Sequence, residues 1–235
     1  YLVEQLLDGK KGYRWAEQIG NTISGSKIEY LSDNEKQETK RLWHSCFPED
    51  TDKFIEYYYS EKTKDNRILV KKDSGLIVSM TQLNPYRVSM KDKEIDTFYV
   101  VGVATDAGRR REGHFRDVFL QMMQDMNEEK VPFLFLMPAD ANIYLPLDFA
   151  YMCELPLMEL TREAKERLTA VVCHDNEEDC QKAAEFMEQW LSARFDMYCL
   201  RDGAYVSRLL KELDSENGIM EFLYDGDNLA GLKAC

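Results

Sequence analysis

The residues between Val103 and Phe119 combine positive charge with a glycine where one structural element should end and another begin. Residues 109–111 are three consecutive arginines, and Gly113 follows them, in a chain whose formal net charge is −13. An apolar, strand-like segment precedes them and an amphipathic helical pattern follows, which predicts a strand–loop–helix corner. The first N–H groups of such a helix lack intrahelical partners and carry the positive end of the helix dipole. The corner therefore predicts a site for phosphate or pyrophosphate.

Other phosphate-binding motifs do not fit this segment. Gly108 and Gly113 have the spacing of a P-loop, but His114 and Phe115 stand where Lys and Ser or Thr must follow, which excludes a nucleoside triphosphatase. The dinucleotide fingerprint requires three glycines and also fails. A solvated basic loop before an ordinary helix stays open as the alternative, because charge clusters are often only solvated.

The composition excludes several classes of protein. The 235 residues are 44% hydrophobic, and no apolar run reaches the roughly eighteen residues of a membrane span. The acidic balance opposes a general nucleic-acid binder, which needs a basic face, and the first residues do not resemble a signal peptide. The six cysteines form no C-x-x-C pair and do not cluster with the three histidines. We therefore expect no metal site, and the free thiols suit a reducing cytoplasm.

The hydrophobic pattern divides the chain into three parts. Residues 1–26 predict an N-terminal helical extension or linker that ends in the turn-rich sequence NTISGSK. Residues 28–160 predict the main domain, with two helices, an antiparallel meander, a helix that begins near Gly113 and a buried strand after Pro132 that must run parallel. Residues 161–235 predict a helical connection, whose amphipathic helix should turn Trp190 inward, and a further small α/β segment.

Local signals place the elements of the main domain. Ser32 and Glu35 have the spacing of a capping box before the first helix. The sequence DSG at residues 73–75 predicts a hairpin turn, and a second hairpin should turn near Asp92. The helix after Gly113 should bury one apolar face, formed by Phe115, Val118, Phe119, Met122, Met123 and Met126.

The last part of the chain contains a weak internal repeat. Residues 204–235 give a helix, a strand, an Asp-Gly turn and a strand, and residues 54–83 give the same order with an Asp-Ser-Gly turn. Two interpretations stay open, the opening of a second copy of one fold or a coincidental hairpin, because short hairpins recur by chance.

On these residues the sequence resembles the Gcn5-related N-acetyltransferase (GNAT) superfamily. The signature Arg/Gln-x-x-Gly-x-Gly/Ala stands here as RREGHF, residues 110–115, in which Phe115 replaces the usual small residue. The stretch ANIYLPLDFAYM is similar to the family's Tyr before a Phe-Gly-Phe-type segment, with Asp148 in place of Gly. The closer resemblance is to the branch of the mycobacterial enhanced-intracellular-survival acetyltransferases, which carry a second, degenerate acetyltransferase half. The resemblance implies that residues 161–235 are a helical connection and part of such a second half.

The resemblance implies a fold, a cosubstrate and a set of binding residues. The fold would be mixed α/β, with a mostly antiparallel central sheet whose fourth and fifth strands splay apart. The cosubstrate would be acetyl-CoA, without a metal. Its pantetheine arm would contact the backbone of Val101, Gly102 and Val103, whose side chains can pack in the core at the same time. Its pyrophosphate would be bound by Arg110, Arg111, Glu112, Gly113, His114 and Phe115, and Asn142 would add a hydrogen bond.

The implied reaction is direct attack of a neutral amine on the thioester. Tyr144 matches the family's Tyr and would be the catalytic residue that protonates the leaving thiolate. The alternative for Tyr144 is core packing against Leu147 and Phe149. The general base is left open among Glu29, Glu56 and Asp96.

Two functions from different classes follow. The first is an N-acetyltransferase that acts on a primary amine of a small molecule or peptide. The second is a non-catalytic GNAT-like module that binds acyl-CoA or regulates a partner. The acidic chain suits a cationic amine, although solubility alone also explains the charge. We expect neither nucleic acid nor membrane as a partner, and a homo-oligomer stays open.

Overall fold

The computed structural model describes residues 2–4, 26–91, 93–154, 161 and 167–235. The chain divides into two compact units. The first unit comprises residues 1–50, 62–86 and 95–154, and the second comprises residues 51–61, 87–94 and 155–235. Most of the predicted N-terminal extension lies outside the described residues, which include only Leu2–Glu4, a strand, and Ser26. The predicted domain boundary at residue 160 also lies outside the described residues.

The sheet of the first unit follows the order β2-β3-β4-β5-β6-β1-β7. Its strands are β1 (Leu2–Glu4), β2 (Ser26–Tyr30), β3 (Arg67–Asp73), β4 (Leu76–Met90), β5 (Lys93–Thr105), β6 (Leu134–Leu136) and β7 (Phe149–Tyr151). β3 pairs antiparallel with β2 and with β4, and β1 pairs antiparallel with β6 and with β7. β5 and β6 pair in parallel, as expected for a strand that returns through a crossover helix.

The parallel pair opens along its length. β5 and β6 are in register only at Phe98↔Leu134 and Tyr99↔Phe135, whereas β5 continues to Thr105. Gly102 interrupts β5 with a φ of +58°, a left-handed conformation that turns the backbone out of the regular pleat. The two strands therefore separate where Val101, Gly102 and Val103 lie, which is the splay that the resemblance implies.

The described α-helices are α1 (Lys40–Cys46), α2 (Asp52–Glu61), α3 (His114–Glu128), α4 (Glu177–Ser192) and α5 (Gly203–Ser215). A 3-10 turn (Lys36–Thr39) precedes α1, and the Glu35 carboxylate accepts a hydrogen bond from the Ser32 N–H at 3.0 Å. This is the reciprocal half of the predicted capping box. α1 ends at Cys46, two residues before Pro48, as the sequence predicts.

The core of the first unit lies between α3 and one face of the sheet. Val118, Phe119, Met122 and Met126 of α3 are buried against Leu134 and Leu136 of β6, among other residues. Phe115 and Met123 are partly buried against the same cluster, so the predicted helix face is confirmed. Each such side chain contributes about 1.5–3 kcal/mol through burial, which fixes the start of α3 against the sheet.

The second unit is built on a three-stranded sheet in the order β11-β10-β8. Its strands are β8 (Thr169–Val172), β10 (Met220–Asp225) and β11 (Asn228–Ala234), and a short strand β9 (Met197–Cys199) pairs with residues 88–90. Cys180, Ala183 and Ala184 of α4 pack with Val206 of α5 and Met220 of β10, among others. The sequence pattern also places Trp190 of α4 inward, but this residue is 36% exposed and its ring makes a tilted contact with the Phe195 ring.

The β10–β11 hairpin repeats the construction of the β3–β4 hairpin. Each has a two-residue turn, between Asp73 and Leu76 in the first unit and between Asp225 and Asn228 in the second. Each also has a register shift at the same place before the turn, between Lys71 and Lys72 in β3 and at residues 223–224 in β10. The order helix, strand, turn, strand that the sequence predicts for residues 204–235 is confirmed.

Candidate functional site

The end of β5 is shaped by the close approach of α1. A Cβ added at Gly102 would lie 2.8 Å from Cζ3 of Trp43, a ring that is 3% exposed. The Trp43 ring is fixed in turn, because its Nε1–H donates to Oδ2 of Asp50 at 2.7 Å. Only glycine fits at this position. Val101 and Val103 are half-buried on either side, and Val103 packs against the core. Their side chains therefore pack while their backbone lies at the splay.

The loop between β5 and α3 has a defined backbone. The Asp106 side chain accepts from the Gly108 N–H at 3.0 Å and begins the 3-10 turn Ala107–Arg109. Arg111 and Gly113 then take left-handed conformations, with φ values of 68° and 86°. A Cβ added at Gly113 would meet no atom within 4 Å, so there is open space at the entrance of α3. This is the geometry that an anion site at a helix N-terminus requires.

The arginines of this loop do not share one environment. The Arg109 guanidinium donates to Oδ2 of Asp73 at 2.6 Å and to Oε2 of Glu112 at 2.7 Å. These hydrogen bonds hold the pKa of both carboxyl groups below their usual range. Arg110 and Arg111 are exposed, and the Nε–H of Arg110 lies 3.4 Å from the Thr105 carbonyl oxygen. The run of arginines in the sequence therefore separates into Arg109, whose half-buried side chain is paired with two carboxylates, and two arginines that are exposed.

The two residues after Gly113 turn inward. His114 is 7% exposed, and its Nε2 lies 3.1 Å from Oε2 of Glu112. The Phe115 ring lies 4.7 Å from the Phe119 ring and 6.1 Å from the Tyr144 ring, measured between centroids. The large residue in place of the signature's small one is therefore directed toward the core. The backbone N–H groups at this end of α3 are those that helix geometry leaves without an intrahelical acceptor.

Tyr144 lies in an aromatic cluster beneath the start of α3. Its ring centroid is 5.6 Å from that of Phe119 and 5.9 Å from that of Phe149, and the side chain is 8% exposed. The pKa of Tyr144 is raised to about 12, mainly by burial and in smaller part by the nearby Tyr99. Leu147 and Phe149 belong to the same buried cluster, so the contacts that core packing predicts are present.

The remaining predicted residues lie on other elements than the loop: Asn142 in a later turn, Glu29 on β2, Glu56 on α2 and Asp96 on β5. Asn142 is exposed, and its Nδ2 donates to Oδ1 of Asp140 at 2.9 Å, within the turn Ala141–Ile143. Glu29 on β2 pairs with Lys27, which is the main cause that lowers the pKa of its carboxyl group, and with Lys72 at 3.4 Å. Asp96 is exposed on β5.

Two features of this region were not predicted from the sequence. Asp73, which holds Arg109, belongs to a hairpin far from the loop in sequence. The rings of Tyr86 of β4, Tyr99 of β5 and Phe135 of β6 form a cluster in which each contacts the other two, with centroid distances of 5.3–6.0 Å, at the last parallel pair before the splay. Alternation along each strand is the only sequence signal for this cluster, and it needs the register between strands, which the sequence does not provide.

Neither a membrane-spanning helix nor a metal-binding cluster is found among the described residues. No helix in the described ranges has the length and the apolar character needed to cross a membrane. The same ranges contain no cluster of three or more His, Cys, Asp and Glu side chains arranged to bind a metal ion.

Comparison with known proteins identifies the family. A model of the acetyltransferase (GNAT) domain matches residues 27–152, which is more than half of the chain. The chain therefore belongs to the GNAT acetyltransferase family. The mixed α/β fold with one parallel pair at β5 and β6 is the fold expected from the resemblance, and it is confirmed.

Solved structures share this fold over most of the chain. A conserved protein of unknown function from Enterococcus faecalis V583, described as a probable N-acyltransferase, aligns with 90% of this chain at a TM-score of 0.66 and 13% identity. A GCN5-related N-acetyltransferase from Kribbella flavida aligns with 91% at a TM-score of 0.65 and 12% identity. The chain spans 55% of the length of each. No curated protein matches the sequence.

Proposed function

We propose that this protein is an N-acetyltransferase that transfers the acetyl group of acetyl-CoA to a primary amine of a small molecule or peptide. The observation that carries the proposal is the open entrance of α3 at Gly113, immediately after the end of β5 that has separated from β6, in a chain of the GNAT family. We place the enzyme in the cytoplasm, because its cysteines are free thiols.

The residues present fit acetyl-CoA. The backbone N–H groups of His114 and Phe115 would bind its pyrophosphate, and Gly113 leaves the approach open. The exposed Arg110 and Arg111 would supply charge. The backbone at Val101, Gly102 and Val103 would bind the pantetheine arm, because β6 no longer pairs with β5 there. Asn142 remains a proposed contact through its exposed amide.

Acetyl-CoA would supply an activated acyl group, and direct attack of the amine would transfer it. Tyr144 is the proposed donor of a proton to the leaving thiolate. With a pKa near 12 its phenol stays protonated at neutral pH, so the proton is present when it is needed. Each unit by which the donor's pKa exceeds that of the thiolate costs about 1.4 kcal/mol for full proton transfer, which favours a modest catalytic contribution.

A non-catalytic acyl-CoA-binding module is the second candidate. The observation in its favour is that Tyr144 makes the contacts of a core residue, with rings of Phe119 and Phe149 around it. Of the proposed bases, Glu29 is paired with lysines that keep it ionised, which makes it a weak proton acceptor. Turnover with an amine distinguishes this module from an enzyme.

We further propose that residues 28–160 are one acetyltransferase domain and that residues 161–235 begin a second, degenerate copy, as in the branch with tandem halves. The shared turn length and register shift of the β3–β4 and β10–β11 hairpins support a common origin. Bulges of this kind are conserved features of related folds, so their coincidence favours duplication over a chance hairpin.

Acetyl-CoA binding is the first test of the proposed function. We expect acetyl-CoA to raise the melting temperature, because it binds the native state only. Arg110→Ala combined with Arg111→Ala should reduce the shift, and the reduction should shrink at high salt because screening weakens exposed charge pairs. The matched control, Arg167→Ala with Arg194→Ala, removes two exposed cations from the second unit and should leave the shift unchanged. An unchanged shift in the first double variant would remove both arginines from the site.

Turnover is the second test. Wild-type protein incubated with acetyl-CoA and a panel of primary amines should release free CoA thiol in proportion to acetylated amine. Binding of acetyl-CoA without release of thiol for any amine would favour the non-catalytic module.

A further inference from the structure

Three charged side chains from two parts of the first unit form a connected group around Arg109. Its Nη2–H donates to Oδ2 of Asp73 at 2.6 Å and its Nε–H donates to Oε2 of Glu112 at 2.7 Å. The same Glu112 oxygen lies 3.1 Å from Nε2 of the buried His114. A guanidinium that spans two carboxylates has its donors committed to fixed directions. Arg109 is therefore directed into the protein's own loop, away from a ligand at α3.

The loop that these bonds cross has a backbone that needs support. Glu112 lies between Arg111 and Gly113, which both have positive φ. A non-glycine residue in this conformation costs about 1–2 kcal/mol and persists only where the surrounding structure imposes it. One carboxylate oxygen of Glu112, Oε2, contacts both Arg109 and His114. Asp73, at the end of β3, connects this arrangement to the sheet.

We propose that Asp73, Arg109 and Glu112 act as a clamp of positioning residues, which sets the loop in its pyrophosphate-binding conformation without touching the ligand. The charge that meets the phosphates then comes from Arg110 and Arg111. This inference rests on the proposed acetyl-CoA site and assigns different roles to arginines that are adjacent in the sequence.

The sign of one mutational effect separates a clamp from simple electrostatics. Asp73 and Glu112 are negative charges beside the proposed phosphate site. If their only influence were through charge, their neutralisation would strengthen the binding of an anion, and Asp73→Asn and Asp73→Ala would act alike. A clamp gives the opposite sign and a graded order, because Asn keeps an acceptor for Arg109 and Ala does not.

The experiment measures the affinity of CoA by calorimetry for the full chain and its variants. We expect the affinity to fall in the order wild type, Asp73→Asn, Asp73→Ala, with the last weaker by about five- to tenfold, the size of one charge-assisted hydrogen bond. Glu112→Gln should also weaken binding. Arg111→Ala is the comparison for a direct charge contact, and the loss of CoA affinity in this variant should become smaller as the salt concentration rises. Glu128→Gln removes a negative charge at the far end of α3 and should bind as wild type does.

A second measurement needs no ligand. In the ligand-free protein, amide hydrogen exchange across residues 108–113 should be faster in Asp73→Ala than in wild type, while the amides of β3 and α3 and the melting temperature stay close to wild-type values. Unchanged exchange in the loop overturns the clamp, whether or not CoA binds. Equal or tighter CoA binding by Asp73→Ala also overturns it. Wild-type protein that does not bind CoA refutes the proposed function instead, and the exchange result then shows whether the ion pairs order the loop at all.

Discussion

Two regions of this chain have the same order of elements and different surroundings. Residues 26–90 give β2, α1, α2, β3 and β4, and residues 169–234 give β8, α4, α5, β10 and β11, with β9 between the two helices. After the first strand of each region, one backbone N–H continues the pairing at 2.9 Å, from Leu31 to the Ile68 oxygen and from Cys173 to the Met220 oxygen. The backbone framework is therefore common to both regions.

The ends of the two hairpins differ in what they contact. In the first region, Asp73 binds Arg109 of the loop before α3. In the second, Asp225 pairs at 3.1 Å with Arg167, whose side chain is 69% exposed. An exposed ion pair contributes about 0–1 kcal/mol to the stability of the fold. The hairpin therefore serves as a scaffold in both units, and the candidate function depends on the strand and loop that follow it in the first unit.

The residues that open each region show how context changes the use of one sequence. Asp-Asn-Glu follows the first strand in both regions, at residues 33–35 and 175–177. In the first, Glu35 accepts from the Ser32 N–H at 3.0 Å, whereas in the second Asn176 accepts from the Asp179 N–H at 2.9 Å. The same triplet therefore begins a 3-10 turn in one place and caps an α-helix directly in the other.

The largest difference between the two units should appear when a methyl group is added to a strand glycine. Gly102→Ala places Cβ 2.8 Å from Trp43 at a φ of +58°, so we expect a loss of about 3 kcal/mol from overpacking and backbone strain. The matched change in the second unit, Gly231→Ala, meets Leu223 Cδ1 at 3.7 Å, an ordinary contact, and should change stability by less than about 1 kcal/mol. Denaturant unfolding of both variants measures the difference. Equal losses would contradict the assignment of a special geometry to β5.

Two buried tyrosines provide the next comparison. Tyr144→Phe keeps the ring and removes the proposed proton donor, so kcat should fall on the order of 10²-fold with little change in the Kd of acetyl-CoA. Tyr57 is the control from the second unit, where its hydroxyl lies 3.0 Å from both the Arg208 oxygen and Glu212. Tyr57→Phe should cost about 1 kcal/mol of stability and leave kcat unchanged. Turnover and melting are measured on the same samples. If Tyr144→Phe behaves like Tyr57→Phe, Tyr144 has a packing role only.

Glycines with positive φ give a smaller, more specific contrast. Gly113 and Gly226 have φ values of 86° and 61°, and a Cβ at either would meet no atom within 4 Å. Valine at either position should therefore impose similar backbone strain, without a steric clash in the core. Only Gly113→Val should weaken CoA binding, by about tenfold or more, because the backbone there must approach the pyrophosphate. Calorimetry compares the two variants. Wild-type affinity in Gly113→Val would place the phosphate site elsewhere.

The smallest expected effect is a difference in acid sensitivity. Five carboxyl groups of the first unit have a pKa that is held low: Glu29, Asp33, Glu35, Asp73 and Glu112. A carboxyl group with a lowered pKa in the folded state stabilises the fold above its ordinary pKa near about 4, and this contribution is lost as the pH falls further. Below about pH 4 the amides of β2, β3 and α3 should therefore lose protection from exchange before those of α4 and α5. The reverse order would show that these pairs contribute nothing measurable.

Most of the element order could be predicted from the sequence, because it is carried by local signals. The buried face of α3 from Phe115 to Met126 follows from helical spacing. The turn at DSG follows from its residue types, and Ser74 and Gly75 there have positive φ. Trp190 was placed wrongly because helical periodicity shows that a side has apolar residues but not where the packed surface ends. The register shift that the two hairpins share could not be predicted from the sequence, since a bulge depends on pairing with the partner strand.

The candidate site divides along the same line. The sequence predicts an anion-binding corner at residues 109–115, because arginines, a glycine and a helix start are adjacent along the chain. The pairing of Arg109 was visible only in the tertiary structure, since the fold brings Asp73 of β3 to its guanidinium. The same holds for Phe115 and Tyr144, whose rings are directed to a common core by the packing of α3 on the sheet. Local geometry depends on residues that are neighbours in the sequence, whereas charge pairing and burial depend on residues that are distant in sequence and meet only when the chain folds.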